Sequence, residues 1–449
     1  MLDEWRASAR EVAVVGLAKS GVAAGLLLRE RGIPVYASDT GHGPRFEGWA
    51  DQLRAVGAEV EVGGHDLERI ARSVAVVVAP GVPPDVPPLA AARAAGIPIH
   101  AEVDVGFVAL TRTRCVAITG TNGKTTTTSL AAHVMTAIGL RAETAGNIGR
   151  PLSDVARLAD PPGWLALELS SFQLHDAPNV KPDIGVLTNL APNHLDRYHS
   201  LDEYYGDKAL LFANADAKAV SVSNADDAVV QRMMQRVPGT HLRFSIVGEA
   251  EAWYDRGRGA LMLGGVEVLD RRELPLLGDH NVANALASVL VAHQLGGTID
   301  RMAAGLRTFR SIAHRVEPVR EVRGVLWVND SKSTNITSTE VAIAALDRPF
   351  VLLLGGRHKG EPYARLAPLL ADRCRAVIAY GEARAQIVQD LAGSVPMVEG
   401  GSFDDVVARA AALAEPGDAV LLSPACSSYD MFENYEQRGA YFRAAVEDM

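Results

Sequence analysis

The chain has 449 residues, 48% of them hydrophobic, and a formal net charge of −10. That apolar content is too high for a disordered chain, and the length divides into two to four domains, each able to bury a core. The acidic balance offers no global positive field, which excludes a general nucleic-acid binder and a protein adsorbed to anionic membranes. Of the 44 basic residues only seven are lysine: Lys19, Lys124, Lys181, Lys208, Lys218, Lys332 and Lys359. A chain that uses arginine by default is expected to keep lysine where arginine cannot substitute.

Three cysteines, Cys115, Cys374 and Cys426, show no CxxC spacing. They read as thiols of a reducing cytosol, not as a disulfide framework or a zinc site. Asp3, Glu4 and Arg6 interrupt any leader-like start, and no apolar run reaches the roughly 18–20 residues that span a bilayer. The expectation is a soluble, cytoplasmic monomer without nucleic-acid partners or membrane insertion.

Short β-branched runs alternate with Ala-, Leu- and Arg-rich stretches, which predicts an α/β chain of mostly parallel sheets with helices on both faces. In a first unit, 1–104, residues 11–16 (EVAVVG) read as a buried strand, followed by a glycine turn and a helix near 20–31. Strands over 34–37 and 74–79 come next, and the proline-rich stretch 80–88 reads as a loop. A second unit, 105–312, has strands at 115–119, 165–169 and 184–188, an antiparallel meander within 241–278 and a helix over 281–295. A third, 313–449, has strands at 325–328, 350–354, 376–380 and 419–422, and reads as a second small doubly wound domain.

The segment GTNGKTT comprises Gly120, Thr121, Asn122, Gly123, Lys124, Thr125 and Thr126. It follows a predicted strand and opens a predicted helix, the context a phosphate loop requires. Its glycines let backbone N–H groups turn around a phosphate, and the helix N-terminus adds positive potential. Lys124 supplies a compact charge and Thr125 a hydroxyl for Mg²⁺. The spacing departs from GxxxxGK[ST], since Ile118 stands where the first glycine would. The alternative is an ordinary strand-to-helix turn.

This loop resembles that of the Mur ligase family, and the resemblance runs through nearly the whole chain. It includes GNIG at 146–149, ELSSFQL at 168–174, NHLDRY at 193–198, HNVANALA at 280–287, NDSKSTN at 329–335, GGRHKG at 355–360 and SPACSSYDMFENYEQRG at 423–439. The ELSSFQL and SPACSSYDMFENYEQRG segments resemble the D-glutamate-adding branch. The resemblance implies a three-domain architecture, with a Rossmann-like N-terminal domain, a central P-loop ATPase domain and a Rossmann-like C-terminal domain. It implies ATP and two Mg²⁺ as cofactors, and UDP-N-acetylmuramoyl-L-alanine and D-glutamate as substrates.

It also implies roles. Glu168, at a strand's carboxyl edge, and His194 are expected metal ligands; taken alone, the first would read as an exposed strand-end carboxylate and the second as a structural or exposed loop histidine. Lys208 would be a surface helical lysine by pattern, and by resemblance a carbamylated ligand of the second metal. Asn281 is expected at the adenine, or as an N-cap of helix 281–295. Arg315 is expected at the γ-phosphate, or in an interdomain ion pair, and Asp330 at the ribose. Lys332, Thr334, Lys359, Ser428 and Tyr435 are expected around D-glutamate, with Tyr435 where the family commonly has Phe. Ser170 and Gln173 join the substrate set, and Asn147 is expected at the muramoyl part. The turn 16–21 is only an approximate dinucleotide fingerprint, equally that of a dehydrogenase. By resemblance it is a uridine-diphosphate site with Ser20, Asp39 and Thr40. Other amino-acid ligases, including a folylpolyglutamate synthase-like one, would share the ATP apparatus.

Overall fold

The computed structural model describes residues 1–193 and 197–449. Three sheets carry the fold. The N-terminal sheet has five parallel strands in the order Glu59–Val62, Val35–Asp39, Val12–Val15, Ala75–Val78 and Ile99–Ala101. Its central strand Val12–Val15 is buried throughout, as an uninterrupted apolar run flanked on both sides must be. The chain leaves that strand at Gly16 with φ +100°, where an added Cβ would lie 2.8 Å from Val82 Cγ2. It then enters the helix Lys19–Glu30.

The nine-stranded central sheet runs Ala142–Gly146, Trp164–Glu168, Arg114–Thr119, Ile184–Leu187, Val220–Asn224, Thr240–Ser245, Ala252–Asp255, Ala260–Leu263 and Val266–Asp270. The expected meander over 241–278 is corrected in part. Thr240–Ser245 pairs parallel with both neighbours, and only the pairings of Ala260–Leu263 on either side are antiparallel. The Gly-rich turns between the last strands are short enough for hairpins, whereas the α-helix Ala228–Met234 makes a parallel crossover before Thr240. The loop expected over 80–88 ends early, because Pro87 and Pro88 open the helix Pro87–Ala94, a position where a missing N–H costs nothing.

The C-terminal sheet has six strands: Glu317–Val322, Val325–Asn329, Ala419–Leu422, Phe350–Gly355, Cys374–Tyr380 and Met397–Glu399. All pairs are parallel except the first, a hairpin edge absent from the sequence reading. Contacts divide the chain into two compact bodies, Met1–Arg271 with Ala283–Leu306, and Arg272–Val282 with Arg307–Met449. No helix among the described residues is long and apolar enough to cross a membrane.

Within the first body, the helix Glu102–Ala109, which follows the N-terminal sheet, packs on the helix Leu152–Ala156 of the central region. Glu102 is buried there, and its Oε1 accepts the Ser153 N–H at 2.6 Å. Burial pushes its pKa up from 4.5 to about 7; the Ser153 N–H opposes the rise and the charge of Asp154 adds to it. The folded protein thus holds this proton more tightly than the unfolded chain. The associated stability is complete below about pH 4.5 and is lost as pH rises through about 7. Thermal melts of Glu102→Gln should therefore match wild type near pH 5 and exceed it by pH 8. A difference that does not grow over that range would contradict the assignment.

Candidate active site

Strand Arg114–Thr119 lies between Trp164–Glu168 and Ile184–Leu187, all parallel, so their carboxyl ends open on one edge. Such an edge, where neighbouring crossovers diverge, is where open α/β sheets bind ligands. The phosphate loop leaves Thr119 at Gly120, φ +145°, where an added Cβ would stand 2.0 Å from Thr188 Oγ1. The helix Lys124–Ala137 starts after Gly123, φ +80°, with no side chain capping its first turn. A helix start of this kind carries positive potential that favours an anion.

The loop is braced from the end of the adjoining strand. Thr188 Oγ1 donates to the Asn122 carbonyl at 2.7 Å, and Asn189 Nδ2 donates to the same oxygen at 3.0 Å. Asn189 Oδ1 accepts the Asn122 N–H at 2.9 Å. Lys124 folds along the loop, its Nζ donating to the carbonyls of Gly120 at 3.0 Å and Thr121 at 2.8 Å. Thr125 and Thr126 are half-buried in the first helical turn.

Lys208 is the unexpected member of this cluster. The pattern alone placed it on a surface, yet it is 1% exposed in the helix Leu201–Ala209. Its Nζ donates to the Gly120 carbonyl at 2.8 Å and lies 4.6 Å from the Tyr204 ring centroid. Burial lowers its pKa to about 7, helped by the positive charge of Lys124 and opposed by Asp207. Tyr204 Oη in turn donates to Thr121 Oγ1 at 3.3 Å.

Glu168 ends its strand beside Ile118 and is 2% exposed. Oε1 accepts from Asn147 Nδ2 at 2.8 Å, while Oε2 is buried without a hydrogen-bond partner among the described residues. An orphaned carboxylate oxygen next to a phosphate loop fits a hard divalent cation, and Thr125 offers a second oxygen. Asn147, expected at a substrate, thus also holds the carboxylate. Ser170 and Gln173 form a capping box at the helix Ser171–His175. His194 lies outside the described residues.

In the N-terminal sheet, Asp39 accepts the Leu17 and Gly41 N–H groups, both at 2.7 Å, and so fixes the glycine turn. Ser20 is half-buried in the first turn of the helix that follows, and Thr40 is exposed beside Asp39.

The second body gathers the expected amino-acid residues on its own sheet edge. Lys359 Nζ donates to Thr334 Oγ1 at 3.2 Å, and Lys332 Nζ stands 5.5 Å from the Tyr435 ring centroid. Ser428 is buried. Asp330 is buried too; it accepts the Val316 N–H at 3.1 Å and Ser423 Oγ at 2.8 Å, and burial raises its pKa to about 6. Arg315 is exposed between His314 and Val316, at φ +65° and +41°, strained backbone for non-glycine residues. The helix Asp279–Gln294 starts before Asn281, which is therefore not its N-cap; Asn281 Nδ2 donates to the Leu277 carbonyl at 2.8 Å.

Sequence reasoning missed the residues that brace these loops. Arg438 is fully buried, and its guanidinium donates to Ser331 Oγ and Ser331 O, both at 2.9 Å, and to the Cys426 carbonyl at 3.1 Å. It ties two of the loops together and places a positive charge beneath them. Its signal was its place in the EQRG segment; Thr188 and Asn189 had only their position at a strand's end.

A phosphate loop at the carboxyl edge of a parallel sheet, lined by a buried lysine and an orphaned carboxylate, defines a nucleotide-dependent α/β enzyme. Family models assign its parts. Residues 10–101 match the Mur ligase MurD-like N-terminal domain, 118–292 the Mur ligase middle domain and 314–426 the Mur ligase glutamate ligase domain. The chain belongs to the Mur ligase family. It is 40% identical to the UDP-N-acetylmuramoylalanine–D-glutamate ligase of Acidobacterium capsulatum, covering 97% of this chain and 96% of that one. It is 38% identical to the enzyme of the same name from Solibacter usitatus, covering 96% of each. In fold it is similar to the UDP-N-acetylmuramate-alanine ligase MurC of Thermotoga maritima (TM-score 0.61, 18% identity, 98% and 99% of the two chains). It is also similar to the MurF ligase of that organism in complex with ADP (TM-score 0.60, 17% identity, 92% and 95%).

If Asn189 holds the loop in shape for phosphate, Asn189→Ala removes two hydrogen bonds to the exposed Asn122 peptide, each worth about 0.5–1.5 kcal/mol. ADP affinity measured by calorimetry should fall about tenfold or more. An unchanged affinity would remove Asn189 from the site.

Proposed function

We propose that this chain joins D-glutamate to UDP-N-acetylmuramoyl-L-alanine at the expense of ATP, a step of peptidoglycan synthesis. The reading rests on one observation above all. In a chain of this family, Lys124 and Lys208 both bond to the Gly120 carbonyl of one phosphate loop, and the neighbouring strand ends in Glu168 with an orphaned oxygen. The three stretches 1–104, 105–312 and 313–449 then serve as UDP-substrate, ATP and amino-acid domains.

The L-alanine carboxylate attacks the γ-phosphorus of ATP, the bond to the bridging oxygen breaks, and an acyl phosphate and ADP result. The D-glutamate amine, having lost a proton, then attacks the acyl carbon; the amide forms and inorganic phosphate leaves. Lys124 and the helix N-terminus hold the phosphate oxygens in line, and Arg315 offsets their charge. Asn281 and Asp330 are assigned to the nucleoside. Lys332, Thr334, Lys359, Ser428 and Tyr435 receive the amino acid, whose two carboxylates need cations and hydroxyls. Ser20, Asp39, Thr40, Asn147, Ser170 and Gln173 orient the nucleotide sugar. Glu168, Thr125, Lys208 and His194 would hold two Mg²⁺, which supply charge neutralisation around the transferred phosphoryl group.

Lys208 serves there as a carbamate. Its amine, near neutrality in pKa, adds to CO₂ and releases a proton, converting a cation into an oxygen-bearing anion. Arginine cannot follow this route, because its guanidinium stays protonated.

Purified protein with ATP, Mg²⁺ and UDP-N-acetylmuramoyl-L-alanine should release phosphate with D-glutamate and not with L-alanine or a diamino acid. Release with another amino acid alone would overturn the assignment. Lys208→Ala should lose activity about 100-fold, and short carboxylates should restore part of it. Full activity in that variant would rule out the carbamate. Lys181→Arg should be silent, since this exposed lysine pairs with Asp216 on the surface, a partner that arginine can keep.

A further inference from the structure

One buried carboxylate of the first body has no part in the chemistry above. Glu102 is 1% exposed, and its Oε2 is buried without a hydrogen-bond partner. Its Oε1 receives the Ser153 N–H at 2.6 Å, in the first turn of the helix Leu152–Ala156. That helix has no cap from its own N-cap residue, Pro151, so Glu102 caps it from another helix. One turn further along, Gly106 faces the same place: an added Cβ would lie 2.7 Å from both Leu152 C and Ser153 N. Residues four apart on one helix face thus clasp the backbone at 152–153.

The clasped segment leads directly to the metal carboxylate. The turn before it is closed by the Gly146 N–H donating to the Arg150 carbonyl at 3.0 Å. Within that turn Asn147 N–H donates to the Glu168 carbonyl at 2.9 Å, and Asn147 Nδ2 to Glu168 Oε1 at 2.8 Å. The second bond leaves Oε2 as the open oxygen.

We propose that Glu102 is a positioning residue: by holding the start of the Leu152–Ala156 helix it sets the 146–150 turn, and with it the Asn147 amide that orients Glu168 toward its cation. The proposal rests on reading Glu168 as a magnesium ligand. What the position requires is an acceptor of glutamate's reach at Ser153 N.

The test follows two readouts in the full chain: the Mg²⁺ concentration for half of the melting shift in the presence of ADP, and that for half-maximal D-glutamate-dependent phosphate release. Asn147→Ala should raise both about tenfold, the usual effect of removing a partner of a metal ligand. Glu102→Leu should raise both by a similar factor, and the Glu102→Leu/Asn147→Ala double variant should be no worse than either single change. Glu102→Gln, which keeps the acceptor, should stay within about twofold of wild type. If Glu102→Leu does not fold, Glu102→Asp, one methylene short of Ser153, takes its place and should behave alike. Unchanged magnesium dependence in these variants, or multiplying effects in the double variant, would overturn the proposal. Should wild type release no phosphate with D-glutamate, the functional reading falls, while the melting series still decides the coupling. A wild-type melt that ADP raises and magnesium leaves unmoved would remove the metal reading of Glu168 and this proposal with it.

Discussion

A primary amine held out of water against a phosphate-loop carbonyl is the contact on which this site turns. Lys208 reaches Gly120 at 2.8 Å from a helix that follows Gly120 by more than eighty residues. Burial and the neighbouring Lys124 charge both disfavour its protonation, so the amine sits near its titration point at neutral pH. A surface lysine would stay protonated and inert toward CO₂. The same burial that makes Lys208 costly as a cation favours its neutral amine.

For that contact to exist the loop must have one shape, and the shape is imposed from outside it. Gly120 and Gly123 occupy backbone regions that other residues rarely adopt, and a Cβ at either would run into Thr188 or Asn284. Thr188 and Asn189 then saturate the Asn122 peptide from the next strand. The second body uses the same device, with buried Arg438 bonding to the loops at Ser331 and Cys426. In both bodies side chains from outside a loop hold its backbone in one shape. Preorganised donors of this kind need not reorganise when charge develops on a reacting group.

The N-terminal turn shows how a sequence motif and its physical work can differ. Asp39 drew attention as a ligand for a nucleotide's sugar or base. In the fold both its oxygens accept backbone N–H groups, at Leu17 and Gly41, so it shapes the glycine turn itself. Asn147 likewise works on Glu168 before it works on any substrate. Ser170 and Gln173 cap a helix start. Polar residues at a strand's carboxyl edge are read easily as contacts to ligand, and many of them serve first to hold the residues that make those contacts.

Local sequence was enough for the parallel α/β class, the strands of each sheet centre, the phosphate loop and the ordered motifs of the family. Continuous apolar runs, glycines at turns and a Gly-Lys-Thr step each carry their meaning within a few residues. The antiparallel edge at Glu317–Val322, the parallel pairing of Thr240–Ser245 and the depth of Lys208 were decided only by tertiary structure. An edge strand of mixed polarity has no period to betray it, and a strand's partner is set by its crossover. Burial of a charged side chain depends on neighbours far along the chain. Glu102 holds backbone from another helix and Arg438 backbone from distant loops, partners that no local pattern names.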